Sequence, residues 1–141
     1  KIRVTNTSSN PSWTLGIAPN TGSTSLWNSG GDNYDFNDSS GAPAGCSDGG
    51  DADSRPGQLS LDFSSAVITP QSGCSSTGIT LGSSAGFVQG SVDSIVLVQA
   101  SGSAQTNCYW DITGIQVSQK IPQDQSSGSY SLNMSLTTLA N

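Results

Sequence analysis

A chain of 141 residues has room for one hydrophobic core, and only 33% of this one is apolar. Four basic residues stand against ten Asp, with no Glu and no His, for a net charge of −6. That balance excludes the basic footprint of a nucleic-acid or anionic-membrane binder, and the lack of His excludes Ser–His and Cys–His nucleophile pairs and starves zinc of its usual ligands.

With just 10% of the chain charged, the low apolar content does not read as disorder. Short runs alternate instead with period two, the mark of half-buried strands. "IRVTN" sets Ile2 and Val4 on one face, and "SWTLGIAP" does the same with Trp13, Leu15 and Ile17 before Pro19 ends it. "QLSLDFSS" aligns Leu59, Leu61 and Phe63; "AVITP", "GITLG" and "GFVQG" are shorter strands bounded by Gly or Pro. "DSIVLVQAS" is almost continuously apolar, which predicts a strand buried on both faces or central in a sandwich. "NCYWDITGIQVSQKI" sets Tyr109, Asp111 and Thr113 against Trp110 and Ile112, with a bend or bulge at Gly114. "YSLNMSLTTL" closes the series with Tyr130, Leu132, Met134 and Leu136. No window carries an amphipathic helix, and no solenoid-length repeat is present. Roughly eight to ten short strands predict an all-β fold, an antiparallel β-sandwich (Ig-like or jelly-roll-like) with one long acidic loop. Residues 1–141 form one domain, read as the mature or trimmed part of a longer surface protein.

The acidic loop breaks the pattern. From Gly30 to Pro56 only Tyr34 and Phe36 are large and apolar, while Asp32, Asp35, Asp38, Asp48, Asp51 and Asp53 crowd together with no Lys or Arg among them. Without these six the chain would be neutral. Like charges repel, and so long a connection needs something other than a core to order it. Ca²⁺ suits it, since that ion takes six to eight oxygens from carboxylates, amide side chains and carbonyls. "DNYDFND" and "DGGDADS" supply those oxygens, with Ser54 beside the second group and Gly49 and Gly50 free to turn. No bidentate Glu and no flanking helix make it an EF-hand. The six Asp are therefore the expected metal ligands and Ca²⁺ the expected cofactor.

Catalysis finds little support. Glycoside hydrolysis needs one carboxylic acid kept protonated in an apolar setting, and these Asp occupy the most polar stretch. Asp111, after Trp110, is expected to serve as a structural hydrogen-bonding group. Trp27 and Tyr34 adjoin the acidic loop and are candidates for sugar stacking, whereas Trp13 and Trp110 belong to alternating strands and read as core. Three acceptor triplets begin at Asn6, Asn37 and Asn133, as composition alone would produce. The three cysteines are Cys46, Cys74 and Cys108, without CxxC spacing; one disulfide and one leftover thiol fit an extracellular protein. Cys46–Cys74 is preferred because it would close the long loop onto the strand edge after Pro70, with Cys74–Cys108 and Cys46–Cys108 as alternatives.

Two stretches carry a resemblance. Trp13-Thr14-Leu15 in "NPSWTLGIAP" resembles the first W-x-L motif of WxL domains, bacterial surface β domains that attach to the cell wall. "IPQDQSSGSYSLNMSLTTL" looks like their final strand, with Leu136 where the second motif has Trp. The same ending is similar to spore-coat-U-like and archaic chaperone–usher pilus subunits, which assemble by strand donation. The first resemblance implies wall contact through Trp13 and Leu15. The combined expectation is a non-enzymatic, calcium-stabilised extracellular domain for wall attachment, adhesion or surface assembly. Its partners would be a wall polymer or neighbouring subunits, with no nucleic acid and no membrane insertion; the alternatives are a strand-donating fibre subunit and a Ca²⁺-dependent carbohydrate-binding module.

Overall fold

The alternating runs pair so that their apolar faces meet across two layers. A computed structural model describes residues 1–38, 56–123 and 125–141; Cys46, Asp48, Asp51, Asp53 and Ser54 lie outside the described residues. The strands are β1 (Ile2–Asn6), β2 (Trp13–Pro19), β3 (Leu26–Asn28), β4 (Asn33–Asp35), β5 (Gln58–Asp62) and β6 (Val67–Pro70), then β7 (Ile79–Leu81), β8 (Ala85–Gly86), β9 (Ile95–Ala100), β10 (Cys108–Thr113), β11 (Gln116–Lys120) and β12 (Met134–Ala140). Every ladder is antiparallel. One sheet runs β1-β10-β6, a second β12-β2-β9-β7, a third β11-β5-β8, and β3-β4 is a hairpin. The fold is the expected all-β sandwich, with no helix among the described residues.

The first and third sheets are two halves of one bent layer. Thr113 pairs with Val67 and Gln116 with Asp62, so one antiparallel ribbon is interrupted where the chain turns at Phe63–Ala66. The other side of the bend is Gly114, at φ +77°, where a Cβ would lie 2.2 Å from the Ser65 carbonyl oxygen. Both the left-handed backbone and the close approach require glycine there. The bend expected at Gly114 is present.

Across the layers Trp13 of β2 meets Trp110 of β10 with ring centroids 5.9 Å apart, and within the β5 layer Phe36 and Phe87, both hydrogen-bonded to Leu59, meet at 5.2 Å. Leu15, Leu59, Leu61, Ile95, Val98 and Ile112 complete the same buried cluster. Each such side chain contributes roughly 1.5–3 kcal/mol on burial. β9 is central, between β2 and β7, as its apolar run suggested. It is not buried on both faces throughout, since Val96 and Gln99 point outward. Leu97 and Val98 are buried in succession because the register against β2 slips between Leu15 and Gly16, the offset of a bulge.

Two expectations change. The stretch expected to begin the long loop is partly strand: β3 and β4 form a hairpin, and Tyr34, Phe36 and Asn37 are buried. Beyond β4 the chain runs beside β5, with the Leu59 amide donating to the Phe36 carbonyl at 2.6 Å and the Asp38 amide to that of Gly57 at 2.8 Å. Asp-rich composition masked the alternation of Tyr34 and Phe36. Cys74 bonds to Cys108, not to Cys46. The β6–β10 ladder, running on through the Gln71 amide to the Tyr109 carbonyl, brings the two α-carbons to 5.8 Å. The crosslink therefore ties β10 to the turn that follows its neighbour β6 rather than to the acidic loop. Replacing both cysteines by serine should lower stability by about 2–4 kcal/mol, measured as a shift in the urea midpoint with unchanged strand signal in circular dichroism.

Candidate functional site

The acidic residues do not converge in the described part of the chain. Asp32 is exposed at the hairpin turn, and its carboxylate accepts a hydrogen bond from Ser126 Oγ. Asp35 and Asp38 point inward instead and are almost fully buried. No group of three carboxylates or thiols among the described residues is arranged to hold a metal ion. The second of the two buried Asp lies beside Gly57, whose carbonyl accepts from the Asp38 amide. Between Asp35 and Asp38, Asn37 donates from Nδ2 to the Ser23 carbonyl at 2.7 Å, while its buried Oδ1 has no hydrogen-bond partner among the described residues.

The expected sugar platform is a packed row. Trp27 and Tyr34 are cross-strand partners in the hairpin, their rings stacked at 6.2 Å, and Tyr34 also meets Tyr130 at 5.1 Å. Tyr34 is buried between its neighbours, and the half-buried Trp27 donates from Nε1 to Gln119 Oε1 at 2.8 Å. Tyr34 presents no free ring face as the sugar reading required, and one face of Trp27 is taken up by Tyr34, because pairing across a two-stranded hairpin stacks the two rings. Of the three acceptor triplets, Asn6 and Asn37 are buried and only Asn133 is exposed.

Trp13 and Leu15 are core residues, each 5% exposed, so the wall-contact role implied for them does not fit a surface position. What remains of their surface forms the floor of a groove. The sheet of β12 and β2 extends past the edge of the sheet that covers it, which ends at β1. In register, Ala140, Thr138 and Leu136 of β12 lie beside Trp13, Leu15 and Ile17 of β2. These three β12 residues share one face, and no described strand covers it. With Ile2 and Val4 of β1 they border a groove of about 350 Å³. Ile2 also borders a second, apolar cavity of about 230 Å³ that continues toward Leu97, Ile112 and Val117. Leu136 is 54% and Leu139 61% exposed. β12 carries no charged residue and no Pro, and edge strands normally use such devices to block unwanted pairing. Period-two reading found β12 but could not show that nothing lies over it.

One end of the groove is charged. Arg3 holds Asp111 with two hydrogen bonds, Nε to Oδ1 at 2.7 Å and Nη2 to Oδ2 at 2.9 Å, and Lys1 Nζ joins at 3.1 Å. The Arg3 guanidinium also lies over the Tyr109 ring at 4.9 Å. Asp111 is buried and structural, as expected of it. The far end is neutral, with Asn6, Ser8, Asn10 and Ser12 tied by side-chain hydrogen bonds.

No known protein family, characterised protein or solved structure matches this chain.

The Arg3 hydrogen bonds, reinforced by Lys1, hold the Asp111 carboxyl well below its ordinary value of 3.8. A carboxyl lowered by folding stabilises the fold above its unfolded value and loses that contribution as pH falls toward its folded one. Asp111→Asn should therefore be less stable than the parent at pH 7, with the gap narrowing below about pH 4. Thermal midpoints of the two proteins across pH 2–7 measure it.

Proposed function

We propose that this chain is a non-enzymatic extracellular domain of a bacterial surface, working by contact: its open edge accepts an extended strand from a neighbouring surface protein. The observation that carries the reading is the groove between the free edges of β1 and β12, with an apolar floor and backbone available for pairing on both walls. Adding a strand at such an edge uses main-chain hydrogen bonds for affinity and alternate side chains for specificity. The disulfide supports an oxidising compartment. Among the described residues no helix is long and apolar enough to cross a membrane. The WxL resemblance and the pilus-like ending point the same way, toward attachment and assembly at a cell surface. In this reading the contact surface is the groove rather than an exposed tryptophan, and the packed row of Trp27, Tyr34 and Tyr130 speaks against the carbohydrate-binding alternative.

Calcium enters the proposal as the stabiliser of the acidic segment, favoured by its charge density and by the burial of Asp35 and Asp38 at its root. Binding to the folded state alone raises the melting temperature. Millimolar Ca²⁺ should thus raise it above that in EDTA, and coincident melting curves would remove calcium from the reading.

Leu136→Arg tests the contact itself. Leu136 is more than half exposed, so the substitution should change stability by no more than about 0.5 kcal/mol. It should nonetheless release the protein from the cell-envelope fraction into the medium, while the parent stays bound. A variant retained as firmly as the parent would defeat the proposal.

A further inference from the structure

We infer that the strand taken up at this edge is an acidic-ended one: alternately apolar along its length, aligned antiparallel to β1, and carrying carboxylates at its C-terminal end, over Lys1 and Arg3. This rests on the groove reading above and adds the chemistry of the partner.

The length comes from the walls. β1 offers five residues and β12 seven, so a strand filling the gap pairs over roughly 17–20 Å. Each neighbour of β1 and β12 in the fold is antiparallel, and antiparallel pairing is the slightly stronger kind per residue. The partner's alternate side chains would fall over Leu136, Thr138 and Ala140, which asks for apolar groups at every second position.

The charge comes from the ends. Lys1 and Arg3 both bind the single carboxylate of Asp111, which leaves one positive charge uncompensated. Arg3 borders the groove and Lys1 the adjoining cavity that shares Ile2, and their side chains remain 50% and 55% exposed. Among the described residues no carboxylate borders the groove, although the chain as a whole carries −6. At the opposite end Asn6, Ser8, Asn10 and Ser12 are neutral. A strand antiparallel to β1 brings its C-terminal end to Arg3 and the neighbouring Lys1, and carboxylates there meet the cationic end of the groove.

Synthetic peptides separate this from its rivals. Val-Thr-Val-Thr-Val-Asp-Asp should bind the intact chain about tenfold more tightly than Val-Thr-Val-Thr-Val-Lys-Lys at low salt. The preference should fade near 1 M NaCl. The acidic peptide should also slow hydrogen exchange of β1 amides in the parent and bind weakly to Leu136→Asp, which places a like charge at the same end. Equal binding of the two peptides would overturn the acidic occupant while leaving the groove reading intact. If neither binds and β1 exchange is unchanged, both fall. Tightest binding of a peptide copying residues 134–140, Met-Ser-Leu-Thr-Thr-Leu-Ala, would overturn the inference and assign the groove to a second copy of this chain.

Discussion

Three strands, β1-β10-β6, lie over a sheet of four, β12-β2-β9-β7, and the missing width falls at one edge. A sandwich core is sealed only where an inner face has an opposing face to bury it. Here the contact of Trp13 with Trp110 and the cluster around Leu15, Val98 and Ile112 close the centre. Leu136, Thr138 and Ala140 continue the same inner face, exposed and with no described strand over them. The hydrophobic effect acts on that uncovered strip as it does on the core, so the property that builds the fold also makes its edge receptive.

The chain has little apolar substance to spare, and its supports lie around the sheet that ends early. The Cys74–Cys108 bond fixes β10 against the turn beyond β6, while Asp111 on the same strand anchors Arg3 and Lys1 of the β1 end. β10 is thereby held on both sides, and β1 is held in place without a neighbour on its free edge. A strand already ordered by pairing along one edge has met part of the ordering cost that a binding partner at the other edge would otherwise impose. The ion pair and disulfide thus serve the groove as well as the core.

Much of this architecture was legible in the chain. Period-two alternation located β1, β2, β5, β6, β7, β9 and the β10–β11 ribbon with its Gly114 bend, because a half-buried strand repeats its environment every second residue. The β3–β4 hairpin was not legible: Tyr34 and Phe36 alternate, but Asp32, Asp35 and Asp38 around them imitate a solvated loop. Disulfide pairing escaped for another reason, since it depends on which strands neighbour one another and not on any local pattern. The groove escaped most completely. That Leu136 is apolar and in phase is a local fact, whereas the lack of a strand above it belongs to the sheet order.

Charge placement gives the edge its direction. A chain at −6 repels an acidic partner at long range, yet at physiological ionic strength charges more than about 8 Å apart are largely screened. Overall repulsion therefore slows encounter, while the groups in contact decide affinity. In the proposed contact the partner would meet Arg3 and, beside it, Lys1, which share one carboxylate between them, and not the Asp32–Asp38 stretch, which belongs to the β3–β4 hairpin and its continuation along β5. An edge open to any β-strand would be a hazard for aggregation. On the proposed reading, positive charge at one end and neutral asparagine and serine at the other would restrict it to strands of one polarity.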